Sequence, residues 1–184
     1  MSNNASASRT RTILYKSLVY GIALFIVGVL QSTFFTKINV LNATPDLLLA
    51  SVLTVAIFDD HRISAIVGII SGFLYCALGG FSYPVYMIFS FLCGYVFWSI
   101  SERAFAKNYP SFLALAVFAF GAKGLWNLIE ISLSATSFNL IGTMIYVVIP
   151  ELISSMLFCS ISYLIFHRIS KLFRGTSRKE SRIK

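Results

Sequence analysis

Acidic residues and histidines are scarce in this 184-residue chain, which has seven Asp and Glu and two His against fifteen Lys and Arg. The scarcity removes the usual materials of acid–base catalysis. No paired carboxylates occur within the apolar stretches, and His61 and His167 fall at their edges, where neither is placed as a base. Cysteine is scarce as well. Cys76, Cys93 and Cys159 are odd in number, form no CxxC pair and lie within apolar runs, so neither a disulfide framework nor a metal site is implied and they read as small buried side chains. P-loop and HExxH patterns are missing. Ser71-Gly72 lacks the glycine two residues before the serine that a rhomboid-type nucleophile loop shows, so Ser71 reads as a helix-packing residue. No catalytic, cofactor-binding or metal-binding residue is expected, and the chain reads as a non-enzyme.

Apolar sequence is what the chain has in quantity. Hydrophobic residues make up 57%, charged residues only 12%, and mean hydropathy is +0.80, values outside the ordinary range of water-soluble domains. Apolar runs at about 17–36, 44–58, 63–82, 83–100, 110–132 and 143–167 approach the ~20 residues of a spanning helix. The expected fold is therefore an all-α integral membrane bundle of six transmembrane helices. Residues 1–16 form a polar N-terminal tail expected to be disordered up to about Arg11, 17–167 the membrane domain, and 168–184 a basic C-terminal tail. The first run is too long for a signal-peptide core and no small-x-small cleavage site follows it.

Threading six crossings sorts the cations. Arg9, Arg11, Lys16, Arg62, Arg103, Lys107 and the seven from Arg168 to Lys184 fall on one side; Lys37 lies in an outward connection and Lys123 within a span. The positive-inside bias makes the first side cytoplasmic, with both termini there. The net charge of +8 then belongs with anionic lipid headgroups next to the basic tail, and nucleic acid is not an expected partner. Tyr15 and Tyr20 near the inner interface, Phe34 and Phe35 near the outer one, and Tyr83 and Trp98 around the fourth span read as interfacial anchors.

The second span is the shortest. Thr44 is positioned to cap it, Pro45 to occupy its first turn, and Asp46 to oppose the positive end of its dipole. Along the third span Ser64, Gly68, Gly72, Cys76 and Gly80 recur every fourth position, a small-residue groove suited to close helix packing within the bundle. The fifth and sixth spans carry Lys123, Asn127 and Glu130 on one helical face, and Glu151 after Pro150. A charge in such a place needs a partner. Glu130 is ~10 Å along the axis from Lys123, whereas Lys123 and Glu151 lie ~13 and ~10 Å from the connection between their antiparallel helices. A Lys123–Glu151 pair with Asn127 nearby is the expected arrangement, serving as structural glue; an ion or proton path is the functional alternative.

The order of these features resembles the MreD family of rod shape-determining membrane proteins. The carriers are Gln31-Ser32-Thr33 closing the first helix, Pro45-Asp46-Leu47 with Leu48 and Leu49 opening the second, Gly68 and Gly72 with terminal Gly79-Gly80 in the third, Pro150 at the sixth, and the basic tail. One position departs: Tyr75-Cys76 stands where many members have an acidic residue. The resemblance implies a fold similar to the S-components of energy-coupling-factor transporters and a place in the bacterial plasma membrane. It also implies a role in cell shape and lateral peptidoglycan synthesis, through MreC and, through it, MreB, RodA and a class B penicillin-binding protein. A vitamin-binding S-component is the alternative, against which Ala23 is followed four residues on by Val27 rather than by a second alanine.

Overall fold

The computed structural model describes residues 2–35, 44–79, 85–104, 108–134 and 140–180, and among them are six helices and no strand. Helix α1 spans Ser2–Leu30 and ends in a π turn, Gln31–Phe35. Helices α2 (Leu47–Phe58), α3 (His61–Gly79), α4 (Val85–Ala104) and α5 (Tyr109–Ser134) follow. Helix α6 opens with Leu140–Thr143, passes through a π turn at Met144–Val148 and continues as Ile149–Glu180. Four stretches of these helices are long and apolar enough to cross a membrane: Ile13–Phe34, His61–Leu78, Tyr109–Ile129 and Ile141–Lys171. Helix α2 is apolar but short, and α4, at 20 residues, has the length of a span with Glu102 and Arg103 in its last turn.

The N-terminal residues depart from the expected disorder, because α1 begins at Ser2. Nucleation is the costly step in helix formation, and once the apolar segment from Ile13 is helical, the preceding Ala5, Ala7, Arg9 and Arg11 extend it one bond at a time. The basic residues after 167 likewise continue α6 as far as Glu180. Lys37, Gly80, Tyr83 and Lys107 lie outside the described residues.

Helix α2 is the axis of the bundle. It is only 12 residues, or ~18 Å long, and every one of its side chains is buried. It packs against all five other helices. Leu49, Leu53 and Ile57 meet Cys93, Phe97, Phe112, Ala116, Phe120 and Cys159 from α4, α5 and α6. Leu48, Val52 and Val55 meet Tyr20, Leu24, Val67, Leu74 and Phe166 from α1, α3 and α6. A helix apolar on all sides must be enclosed on all sides, and here it is.

The small-residue groove of α3 is filled by α4. A Cβ on Gly72 would lie 2.5 Å from the Cα of Met87, and one on Gly68 2.6 Å from the carbonyl oxygen of Ser90. Helix α4 answers with Gly94, whose Cβ would come 2.6 Å from the Ser64 carbonyl, while the Ser64 hydroxyl donates to the Gly94 carbonyl at 2.7 Å. The two backbones approach this closely only because those three side chains are hydrogen atoms.

Candidate functional site

The cap of α2 begins the site. Asp46, rather than Thr44, is the N-cap: its Oδ1 accepts the Leu49 N–H at 2.9 Å. Pro45 precedes the cap instead of filling the first turn, and a carboxylate caps better than a threonine hydroxyl while its charge also meets the helix dipole. The next two orphan amides, Leu47 and Leu48, both donate to Gln31 Oε1 at 2.9 and 3.1 Å. Gln31 comes from the π turn that ends α1. The N–H of Asp46 itself donates to Ser155 Oγ on α6 at 2.9 Å.

Because α2 is short, its N-cap is recessed into the bundle, and Asp46 is only 1% exposed. There its Oδ2 meets Lys123 Nζ at 2.5 Å and accepts the Tyr86 hydroxyl at 2.5 Å. Lys123, from α5, also reaches Glu151 Oε1 on α6 at 2.6 Å. The other Glu151 oxygen accepts Asn127 Nδ2 at 2.8 Å. The ammonium lies 4.8 and 5.5 Å from the ring centres of Tyr75 and Tyr86, and those two rings stack at 4.0 Å. All six helices thus contribute: Gln31 from α1, Asp46 from α2, Tyr75 from α3, Tyr86 from α4, Lys123 and Asn127 from α5, Glu151 and Ser155 from α6. A cavity of about 10 Å³, room for one water molecule, lies beside the cluster between Lys123, Gly124, Val148, Glu151 and Ser155.

The Lys123–Glu151 contact with Asn127 beside it is the arrangement that helix depths predict. The second carboxylate was not anticipated: Asp46 reads in sequence as a capping charge, and the signal that it reaches Lys123 is the shortness of the helix it caps. Tyr75 and Tyr86 carry no such signal. Glu130 lies on α5 one turn beyond Asn127, its side chain outside those described. Gly68 and Gly72 belong to the α3–α4 contact and not to this cluster.

A second, smaller arrangement occupies the other end of α2. Asp59, its C-cap, holds Lys16 Nζ at 2.6 Å and accepts the Tyr20 hydroxyl. A carboxylate at a helix C-terminus faces the negative end of the dipole, so the lysine and the tyrosine supply what the helix does not. Tyr20 is consequently buried and stacked on Phe166, not an interfacial anchor, while Tyr15 is exposed. Phe34 is also exposed, and Trp98 packs on His61 with ring centres 4.9 Å apart. His167 stacks on Tyr163 at 5.3 Å and meets the tilted ring of Phe58 at 4.5 Å.

Chemically, the main cluster offers one buried ammonium balanced by Asp46, a further carboxylate in Glu151 and two tyrosine rings beside the ammonium, with the Tyr86 hydroxyl donating to Asp46. Among the described residues no group of three or more His, Cys, Asp or Glu could hold a metal ion. The Ser71 hydroxyl is buried and has no hydrogen-bond partner among the described residues. In comparisons with known proteins, no family model, no curated protein and no solved structure matches this chain.

Proposed function

We propose that this chain is a non-enzymatic, multi-pass subunit of the bacterial cell-elongation machinery, of the MreD type. It would cross the plasma membrane six times with both termini in the cytoplasm. The observation that carries the reading is the joint cap of α2. Gln31 and Pro45-Asp46-Leu47, two separate segments on which the resemblance rests, meet in space: the Gln31 side chain caps the helix that Asp46 opens. Segments that resemble a family and also hold the central helix in place support one another. The sequence departs from the resemblance at Tyr75-Cys76, and the Tyr75 ring lies 4.8 Å from the Lys123 ammonium.

In this reading α2 and α4 cross along with the four longer apolar helices, and the basic residues that follow α6 lie against anionic lipid headgroups. MreC is the direct partner, with MreB, RodA and a class B penicillin-binding protein reached through it. The buried charges act as structural glue that holds together the helices presented to MreC.

Depletion in the native cell tests the reading. Rounded cells with misplaced wall synthesis, and recovery of MreC with the purified chain, are expected. Normal cell shape with an auxotrophy rescued by a vitamin would replace it with the S-component alternative.

A further inference from the structure

Helix α6 changes its hydrogen bonding once, beside the charge cluster. In the π turn Met144–Val148 the Ile149 N–H donates to the Met144 carbonyl, five residues back. Pro150 explains the change, since a proline has no N–H for the carbonyl four residues earlier and its ring crowds that carbonyl. Widening the turn relieves both conflicts at the expense of regular helical bonding. On the C-terminal side, α6 is fastened to α2: Ser155 Oγ accepts the Asp46 N–H, and Ser162 Oγ donates to the Leu47 carbonyl at 3.2 Å. Between the irregular turn and these anchors sits Glu151.

The count of charges decides which bond in the cluster can open. Asp46 alone balances Lys123, and both are almost completely buried. Glu151 is the surplus carboxylate, and its side chain is 18% exposed. Releasing Asp46 would strand a buried charge, but releasing Glu151 leaves a neutral pair intact. Val148 meets α5 where Gly124 has no side chain: a Cβ there would lie 2.6 Å from Val148 Cγ1. Gly124, Val148 and Glu151 also line the one-water cavity.

We propose that the segment Met144–Glu151 is a gate on the α5–α6 seam. The π turn and Pro150 loosen it, Ser155 and Ser162 anchor the helix beyond it, and Glu151 latches it to Lys123 and Asn127. When the latch releases, the cavity widens and Lys123 keeps Asp46 as its counter-ion. The device stands independently of the partners proposed above.

The test uses the full chain in lipid nanodiscs, with Cys76, Cys93 and Cys159 replaced by alanine and spin labels at Leu125→Cys and Ile145→Cys, both exposed positions on the two sides of the seam. Electron–electron distance measurements read the separation. Glu151→Gln should raise the long-distance fraction about tenfold, as loss of one charge-assisted contact implies, and adding Pro150→Ala, which restores the missing N–H, should reverse the rise. Gly124→Ala, whose methyl meets Val148, should open the seam with the latch intact and serves if Glu151→Gln does not fold. Distance distributions that stay as in the parent in both Glu151→Gln and Gly124→Ala, or a rise that Pro150→Ala leaves in place, overturn the gate.

Discussion

Asp46 and Asp59 mark the two ends of α2, and each is buried and bonded to one lysine and one tyrosine, Asp46 to Lys123 and Tyr86, Asp59 to Lys16 and Tyr20. The two ends are not equivalent. The helix dipole favours the first aspartate and opposes the second, and Lys16 is part-exposed whereas Lys123 is enclosed.

The enclosed pair should dominate stability. Lys123→Met alone, which leaves the buried Asp46 carboxylate without a cation, is expected to cost about 3–5 kcal/mol, the range for breaking a buried ion pair; Asp46→Asn should cost less because Glu151 still balances Lys123, and Asp59→Asn clearly less than Lys123→Met because Lys16 can turn to water. Combining Asp46→Asn with Lys123→Met should lose less than the sum of the two. Denaturant or thermal unfolding in detergent measures the cycle, and simple additivity would show that the residues are not coupled.

Gln31→Leu should unfasten the first turn of α2. Two amides lose their acceptor, each at about 1–3 kcal/mol when left buried and unpaired. Hydrogen exchange at Leu47 and Leu48 is the direct readout: both should exchange faster, with Leu49, capped by Asp46, less affected.

The glycines of α3 and α4 should be intolerant, and Gly121 tolerant. Gly72→Leu has to separate α3 from α4 and is expected to lower the unfolding temperature and the recovery of folded bundle. Gly121→Ala meets nothing within 4 Å and should be neutral or gain up to about 1 kcal/mol from helix propensity. Equal effects at the two positions would contradict the close contact.

A reporter active only in the cytoplasm, fused in turn to each end, should give signal from both, because thirteen of the fifteen cations sort to that side when six crossings are threaded. Signal from the N-terminal fusion alone would remove the six-crossing topology.

Much of the architecture was legible from periodicity and length: the six helices appear close to where the apolar runs place them, and the α3 groove was visible as small residues four apart. The Lys123–Glu151 contact was also legible, since two charges at matching depths on adjacent antiparallel helices have few other choices. Asp46 was harder. Its capping role is local and can be read from sequence, but its bond to Lys123 depends on the three-dimensional route of a short helix through the centre of the bundle. Tyr20 was misplaced for a similar reason, because an aromatic ring with a polar tip suits an interface as well as a buried carboxylate, and only the position of Asp59 decides between them.

The complete enclosure of α2 also bears on how the chain is made. In the bilayer proposed for it, a segment of ~18 Å is well short of a ~30 Å hydrocarbon layer, and it emerges from the ribosome long before α5 and α6, which supply Lys123, Glu151 and Ser155. Until those helices arrive, Asp46 has no cation and its own N–H has no Ser155. Helix α2 is thus made before the helices that complete its surroundings, and a chain interrupted before α5 carries an aspartate with no lysine to answer it.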